Sequence, residues 1–278
     1  MVTNARNQQK PWALIDLPPF PAVAMRVLSL LARQDVGMKE LTREIQSDPA
    51  LALQILTLAN SVLFGFRTEI KNVLQATALL GAERVKAIAL TIAMKTYLME
   101  SFQIPALLAC WRHSLACALI AEDLAMASMI EKDVAYVAGL LHDIGRLALG
   151  MIKPIEYANM LASAREKPFD ILEREREMFG MNHCEAGRWL TDAWKLPKIF
   201  GQVAALHHHP PSAKFDVVRV ASAACLMADA LGFEAVRPLR PRPFQEILQS
   251  LPAREQVRFH PDPEQLAMTV AMKINSLE

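Results

Sequence analysis

Apolar residues recur along this chain at spacings of three and four, separated by short polar breaks rich in Pro, Gly, Asn and Asp. That period is the signature of amphipathic helix, and no stretch alternates as a strand would. Pro18, Pro19 and Pro21 make a stiff entry to a first helix over about 21–34, and 38–46 reads as a short one. Asp48-Pro49 is a helix start, an Asp cap followed by Pro at the first helical position. Leu51, Ile55, Leu58 and Ala59 then share one face until Asn60-Ser61. Further helices are expected over 73–80 and 82–99 with Gly81 between them, and over 106–127. Another, capped by Asp133, is expected to run to Ile144 and end at Gly145. The pattern then predicts helices over 170–180 with a solvated charged face, 182–194, from Pro197 to the histidine run, 216–231, 244–250 and 262–276. The expected fold class is all-α, without strands or internal repeats.

Gln103 to Pro105 marks a joint, because Pro disfavours helix in the residue before it. The chain therefore divides into a flexible lead-in over 1–16, an N-terminal helical sub-module over 17–102 and a second helical sub-module over 103–278. The most apolar stretch, Ala87 to Met99, is too short to span a bilayer and contains Lys95. The first twenty residues lack the apolar core of a secretion signal. With four cysteines and no C-x-x-C pair, reduced buried thiols in a cytoplasmic protein are expected. The 30 basic and 29 acidic residues nearly cancel, so no global field favours nucleic acid or membrane. The segment from Leu41 to Leu58 has a helix–turn–helix look but little basic charge, and Arg237, Arg240 and Arg242 fit a solvated Pro/Arg loop. Scattered methionines such as Met126, Met129, Met151 and Met160 read as core filler.

Candidate chemistry lies in the histidines. Six of the seven fall at four places: His113, His142 beside Asp143, His183, and the run His207-His208-His209. Adjacent helical positions are about 100° apart, so His142 and Asp143 can point at one ion. Imidazoles and a carboxylate together are the donor set of a site that activates water or binds phosphate through a metal. Taken singly, each also has a plainer reading. His142-Asp143 could be an oriented structural pair, His113 a satisfied core histidine, and His183 an exposed residue at a helix start.

The stretch Gly139-Leu-Leu-His142-Asp143-Ile-Gly-Arg146 resembles the signature of the HD superfamily of metal-dependent phosphohydrolases. His113 matches that superfamily's early His, and Asp229 its late Asp. The closer resemblance is to the HDOD family of bacterial signalling proteins, from about Leu17 to about Gly232. It is carried by Ser47-Asp-Pro-Ala-Leu51, Leu58-Ala-Asn-Ser61, Ala76-Thr-Ala-Leu-Leu-Gly81, Trp111-Arg-His-Ser114, His183-Cys-Glu-Ala-Gly187, Trp194-Lys-Leu-Pro197 and His207-His-His-Pro210. The resemblance implies an N-terminal helical half packed on an HD-like bundle. It also implies a regulatory role, exercised by binding a signalling partner protein or a nucleotide.

Many HDOD proteins lack the metal ligands. Here the positions matching the two-metal site of HD-GYP phosphodiesterases are all filled, by His113, His142, Asp143, His183, His207, His208 and Asp229. His209 replaces one of the preceding pair if the register shifts by one. That resemblance implies one or two ions of Fe, Mn or Zn, with Asp143 as a bridging ligand. The alternative function is then a phosphohydrolase acting on a cyclic dinucleotide or another nucleotide, with Asp143 and Arg146 in the catalytic roles. Two departures weigh against turnover: Arg146 stands where HD-GYP enzymes carry Lys, and Pro210-Pro-Ser-Ala213 replaces their Gly-Tyr-Pro segment. Arg146 could hold phosphate, or could pair with Glu173 or Glu177.

Overall fold

A computed structural model describes residues 11–20, 22–31, 37–61, 64–211 and 214–278. Sixteen α-helices occur among them, and no strand. The N-terminal half contains α1 (Ala22–Leu31), α2 (Met38–Gln46), α3 (Pro49–Ala59), α4 (Val73–Leu80) and α5 (Ala82–Leu98). A 3-10 turn, Met99–Gln103, leads into the second half. That half contains α6 (Pro105–Ser128), α7 (Lys132–Leu141), α8 (Ile144–Ile152), α9 (Pro154–Glu166), α10 (Ile171–Phe179), α11 (His183–Ala193), α12 (Lys198–Leu206), α13 (Val217–Ala230), α14 (Phe244–Gln249), α15 (Ala253–Arg258) and α16 (Pro263–Leu277).

The helix starts have local causes. Asp48, Asn72, Asp170, Asn182, Asp216 and Asp262 each accept a hydrogen bond from a backbone N–H in the first turn of the helix they open. Asn182 and Glu185 complete a reciprocal capping box at α11, which fixes where His183 enters the fold. The α6 helix is the central pillar. It is apolar nearly all round, buries Trp111, Leu115, Ile120 and Leu124, and packs against α7, α13 and α16. The main hydrophobic core runs from Ala13 to Leu277 across both halves, with a small satellite at Ala59, Ile70 and Ala76. Arg84 of α5 ties the halves together by pairing with Glu122 of α6 and with Asp133 of α7 at 2.9 Å.

Several expectations need correction. The lead-in over 1–16 falls partly outside the described residues, but Trp12–Leu14 forms a 3-10 turn with Ala13 and Leu14 buried. Asp133 does not cap α7; Glu131 stands at that position, and the Asp133 carboxylate is engaged by Arg84. The helix expected to continue to Ile144 stops at Leu141, and α8 begins at Ile144, so His142 and Asp143 form the corner between two helices. The segments forming α9 and α15 carried no expectation. The charged helix α10 has the expected solvated face at Glu173, Arg174, Arg176 and Glu177, but its other face buries Glu175. Lys132–Ile152 is apolar and long enough to cross a membrane, yet 89% of its most apolar window is buried against protein.

Gly145 is therefore not a helix terminator but a contact point. A Cβ there would lie 2.0 Å from the His183 carbonyl oxygen and 2.5 Å from the Gly187 nitrogen. The α8 and α11 backbones touch at this point, and that closeness brings His183 to Asp143. Gly139 serves the α6–α7 contact in the same way, since a Cβ would meet the Cys117 carbonyl oxygen at 2.6 Å. Gly145→Ala must push α8 from α11 and should lose about 1–3 kcal/mol or more in chemical denaturation. Gly37→Ala, with nothing within 4 Å of the added carbon, should stay within about 0.5 kcal/mol of the parent. Equal stability of the two variants would refute the contact.

Candidate metal centre

The corner between α7 and α8 delivers His142 and Asp143 into the middle of the second half. His113 arrives from α6, His183 from the first turn of α11, and His207 from the end of α12, all buried. Asp143 accepts from Arg146 Nε at 2.7 Å through Oδ2. Its other oxygen, Oδ1, faces His183 Nε2 and His207 Nε2, each at 3.3 Å. His208 Nε2 lies 3.0 Å from His183 Nε2. The rings crowd together, His113–His142 tilted at 5.2 Å, His142–His207 edge-on at 4.9 Å and His207–His208 tilted at 4.2 Å between centroids.

Four imidazoles share one orientation. His142 Nδ1 lies 2.6 Å from the Gly139 carbonyl, His207 Nδ1 3.1 Å from the Ala204 carbonyl, and His113 Nδ1 3.0 Å from the Phe233 carbonyl. His183 Nδ1 lies 2.6 Å from Glu175 Oε2. A carbonyl or carboxylate can only accept, so each Nδ1 carries a proton and each Nε2 points inward, as a lone pair wherever the ring is neutral. Metal-binding histidines are oriented in this way, with the outer nitrogen donating to a carbonyl or carboxylate. Among the described residues, His142 Nε2, His207 Nε2 and Asp143 Oδ1 have no hydrogen-bond partner although all are buried. These three atoms lie within 4.8 Å of one another. A buried donor set left without partners is costly unless something occupies it, and a divalent cation fits both its charge and its chemistry.

The electrostatics agree. Burial opposes ionisation of Asp143, but Arg146 first, then His142, His183 and His207, hold its carboxyl well below the usual range. Burial disfavours a charged His183, yet Glu175 and Asp143 outweigh this against the opposing Arg146 and push it up to about 10. His208 is pushed down to about 2 by burial and by the neighbouring His207 and His183.

Four expected residues stand differently from the reading above. Asp229 lies at the outer side of His113, with Oδ1 3.5 Å from Nδ1, and its atoms do not join the converging donors. Burial above all raises its carboxyl to about 7. Arg146 pairs with neither Glu173 nor Glu177. It is buried, clamped to Asp143, and 3.9 Å from Glu175. His183, whose plainer reading taken singly is an exposed residue at a helix start, is fully buried, and His209 stands outside the converging donors as an exposed residue.

Three residues went unread in the sequence. Glu175 accepts from the backbone N–H and ring of His183 and from the Tyr157 hydroxyl at 2.5 Å. Its signal was its place on the apolar stripe Ile171–Glu175–Phe179. Cys117 and Cys225 place their sulfurs 3.5 and 3.6 Å from His113 Nε2. Each stands one helical turn from a residue already singled out, Cys117 after His113 and Cys225 before Asp229.

A cavity of about 400 Å³ opens onto this cluster. It is lined by His113, Asp143, Arg146, His208 and Cys225 of the cluster, by Phe169 to Leu172, and by Ala235 to Arg240.

The known proteins that this chain resembles agree with this architecture. A structure of an HDOD domain protein of unknown function from Geobacter sulfurreducens superposes with a TM-score of 0.70 at 22% identity, covering 94% of this chain and 91% of that one. A candidate phosphohydrolase from Shewanella amazonensis gives 0.69 at 21% identity, covering 96% of both. A candidate signal transduction protein from Marinobacter aquaeolei gives 0.69 at 21%, covering 94% of this chain and 58% of that one. At such identities the likeness establishes the fold. An uncharacterized protein of Treponema pallidum is 22% identical over 200 residues, and the match covers 71% of this chain but only 39% of that relative's length. The HDOD domain model matches residues 17–210, so the chain belongs to the HDOD domain family.

Proposed function

We propose that this chain is a signalling module that binds a nucleotide in the cavity above a divalent metal and passes the change to a partner protein. The observation that carries the reading is the common orientation of His113, His142, His183 and His207, each with Nδ1 bound outward and Nε2 turned in. His142, Asp143 and His207 would hold the ion, and a bound ion would supply positive charge beneath a ligand phosphate. Arg146 lines the cavity and brings a fixed positive charge toward an anionic oxygen bound there. Arg240 lies at the mouth, and Phe169, Leu172 and Leu239 give the base an apolar wall.

A phosphodiesterase remains the second reading, favoured by the access the cavity gives to Asp143. Arg146 counts against a two-metal form of it. With Oδ2 of Asp143 held by the guanidinium, only Oδ1 is left for an ion. A carboxylate so held does not bridge two metals unless Arg146 moves away.

Metal analysis of protein purified anaerobically, without an affinity-metal step, should find about one equivalent of Fe, Mn or Zn, lost in His142→Ala. Chelation should lower the melting temperature of the parent and leave the variant unchanged. Metal-free protein that stays metal-free after reconstitution would remove this reading. Calorimetry across mono- and cyclic dinucleotides should show binding without turnover in the loaded protein. Arg240→Ala should weaken it about tenfold, the value of one hydrogen bond to a charged group. Steady hydrolysis of a cyclic dinucleotide would establish the enzyme instead.

A further inference from the structure

We propose that Cys117, Cys225, His113 and His142 form a thiolate–imidazole seat for one zinc-class ion at the inner end of the cavity. This rests on the reading that the centre holds a metal, and it names the class of metal. The four donor atoms lie within 4.8 Å of one another, all in buried residues. Zn–N bonds of about 2.0 Å and Zn–S bonds of about 2.3 Å at a tetrahedral angle set N and S about 3.5 Å apart. The two sulfurs lie 3.5 and 3.6 Å from His113 Nε2. Both imidazoles already present the correct nitrogen, because the Phe233 and Gly139 carbonyls hold their outer N–H groups.

Charge supports the same occupant. Two thiolates and two neutral imidazoles around a divalent ion sum to zero, the balance that a fully buried site favours. Each thiol gives its proton to solvent as its sulfur binds the ion. Manganese and magnesium prefer oxygen, whereas zinc and cobalt accept sulfur readily. His113 and Cys225 face the cavity, which gives the ion a way in.

His142 belongs to both donor sets, and one Nε2 lone pair serves one ion. The thiol set and the Asp143–His207 set are therefore alternative seats, and the softness of the metal selects between them. Oxygen-seeking ions would lie under the ligand phosphate. Zinc-class ions would lie on the opposite side of His142, against α6 and α13.

The test is anaerobic titration of the reduced full-length chain with cobalt(II), read by absorbance. The expected result is a sulfur-to-cobalt charge-transfer band and strong tetrahedral ligand-field bands saturating at one equivalent. These weaken in Cys117→Ser and in Cys225→Ser and vanish in the double variant, while calorimetric manganese binding persists. If a serine variant does not fold, zinc protection of the parent's thiols against an alkylating reagent reads the same seat without substitution. Weak octahedral bands indifferent to the cysteines, or thiols that zinc leaves unprotected, overturn the thiol seat alone. Binding of neither cobalt nor manganese overturns this seat and the metal reading together.

Discussion

The centre of this protein is organised around one buried carboxylate. Taking an ionised Asp out of water costs several kcal/mol unless its charge is answered nearby. Asp143 is buried at a helix corner, so the answer has to come from other helices. Arg146, three residues on, takes one oxygen, and His183, kept positively charged by Glu175, faces the other beside His207. Each of those rings needs its own outer partner, supplied by Glu175 and by carbonyls of α12. Gly145 then acquires its reason: α8 and α11 must touch if His183 is to reach Asp143. The α11 capping box, the Gly145 contact and the buried Glu175 thus serve one electrostatic requirement.

Arg146 decides how far the likeness to a two-metal hydrolase extends. Its guanidinium takes Oδ2 of Asp143, which a bridging carboxylate would offer to a second ion, and its Nη2 lies 3.4 Å from His183 Nε2. A guanidinium supplies fixed positive charge without Lewis acidity and does not dissociate from the protein. The full set of histidines therefore persists beside a permanent cation. That combination suits a site that binds and reports more readily than one that activates water.

The helices were largely legible because their periods and caps are local. Asp48-Pro49, Asn72, Gly81 and Asp216 announce their helices within a few residues. The break at His142 was not legible, because nothing in Leu141-His142-Asp143-Ile144 forbids a continuous helix; the break answers a tertiary demand. The family motif assembled His113, His142, Asp143, His183 and His207 correctly in one place. It could not reveal Glu175, since an acid in a charged helix reads as solvated until its place on the Ile171–Phe179 stripe is weighed. Cys117 and Cys225 were read as inert for a related reason: their partnership joins α6 to α13, more than a hundred residues apart.

The walls of the cavity also hold the rings beneath it. The Phe169 to Leu172 wall leads directly into α10, which carries Glu175, and Glu175 fixes His183. A second lining segment, Ala235 to Arg240, follows Phe233, whose carbonyl fixes His113. A ligand that draws either wall inward moves the outer anchor of an imidazole and so changes the geometry offered to an ion. By linkage an ion that fixes the rings favours the wall positions that bind the ligand, and the coupling is equal in both directions. On the proposed reading, ligand and metal would act on the same few anchors, and catalytic turnover would not be required for the site to carry a signal.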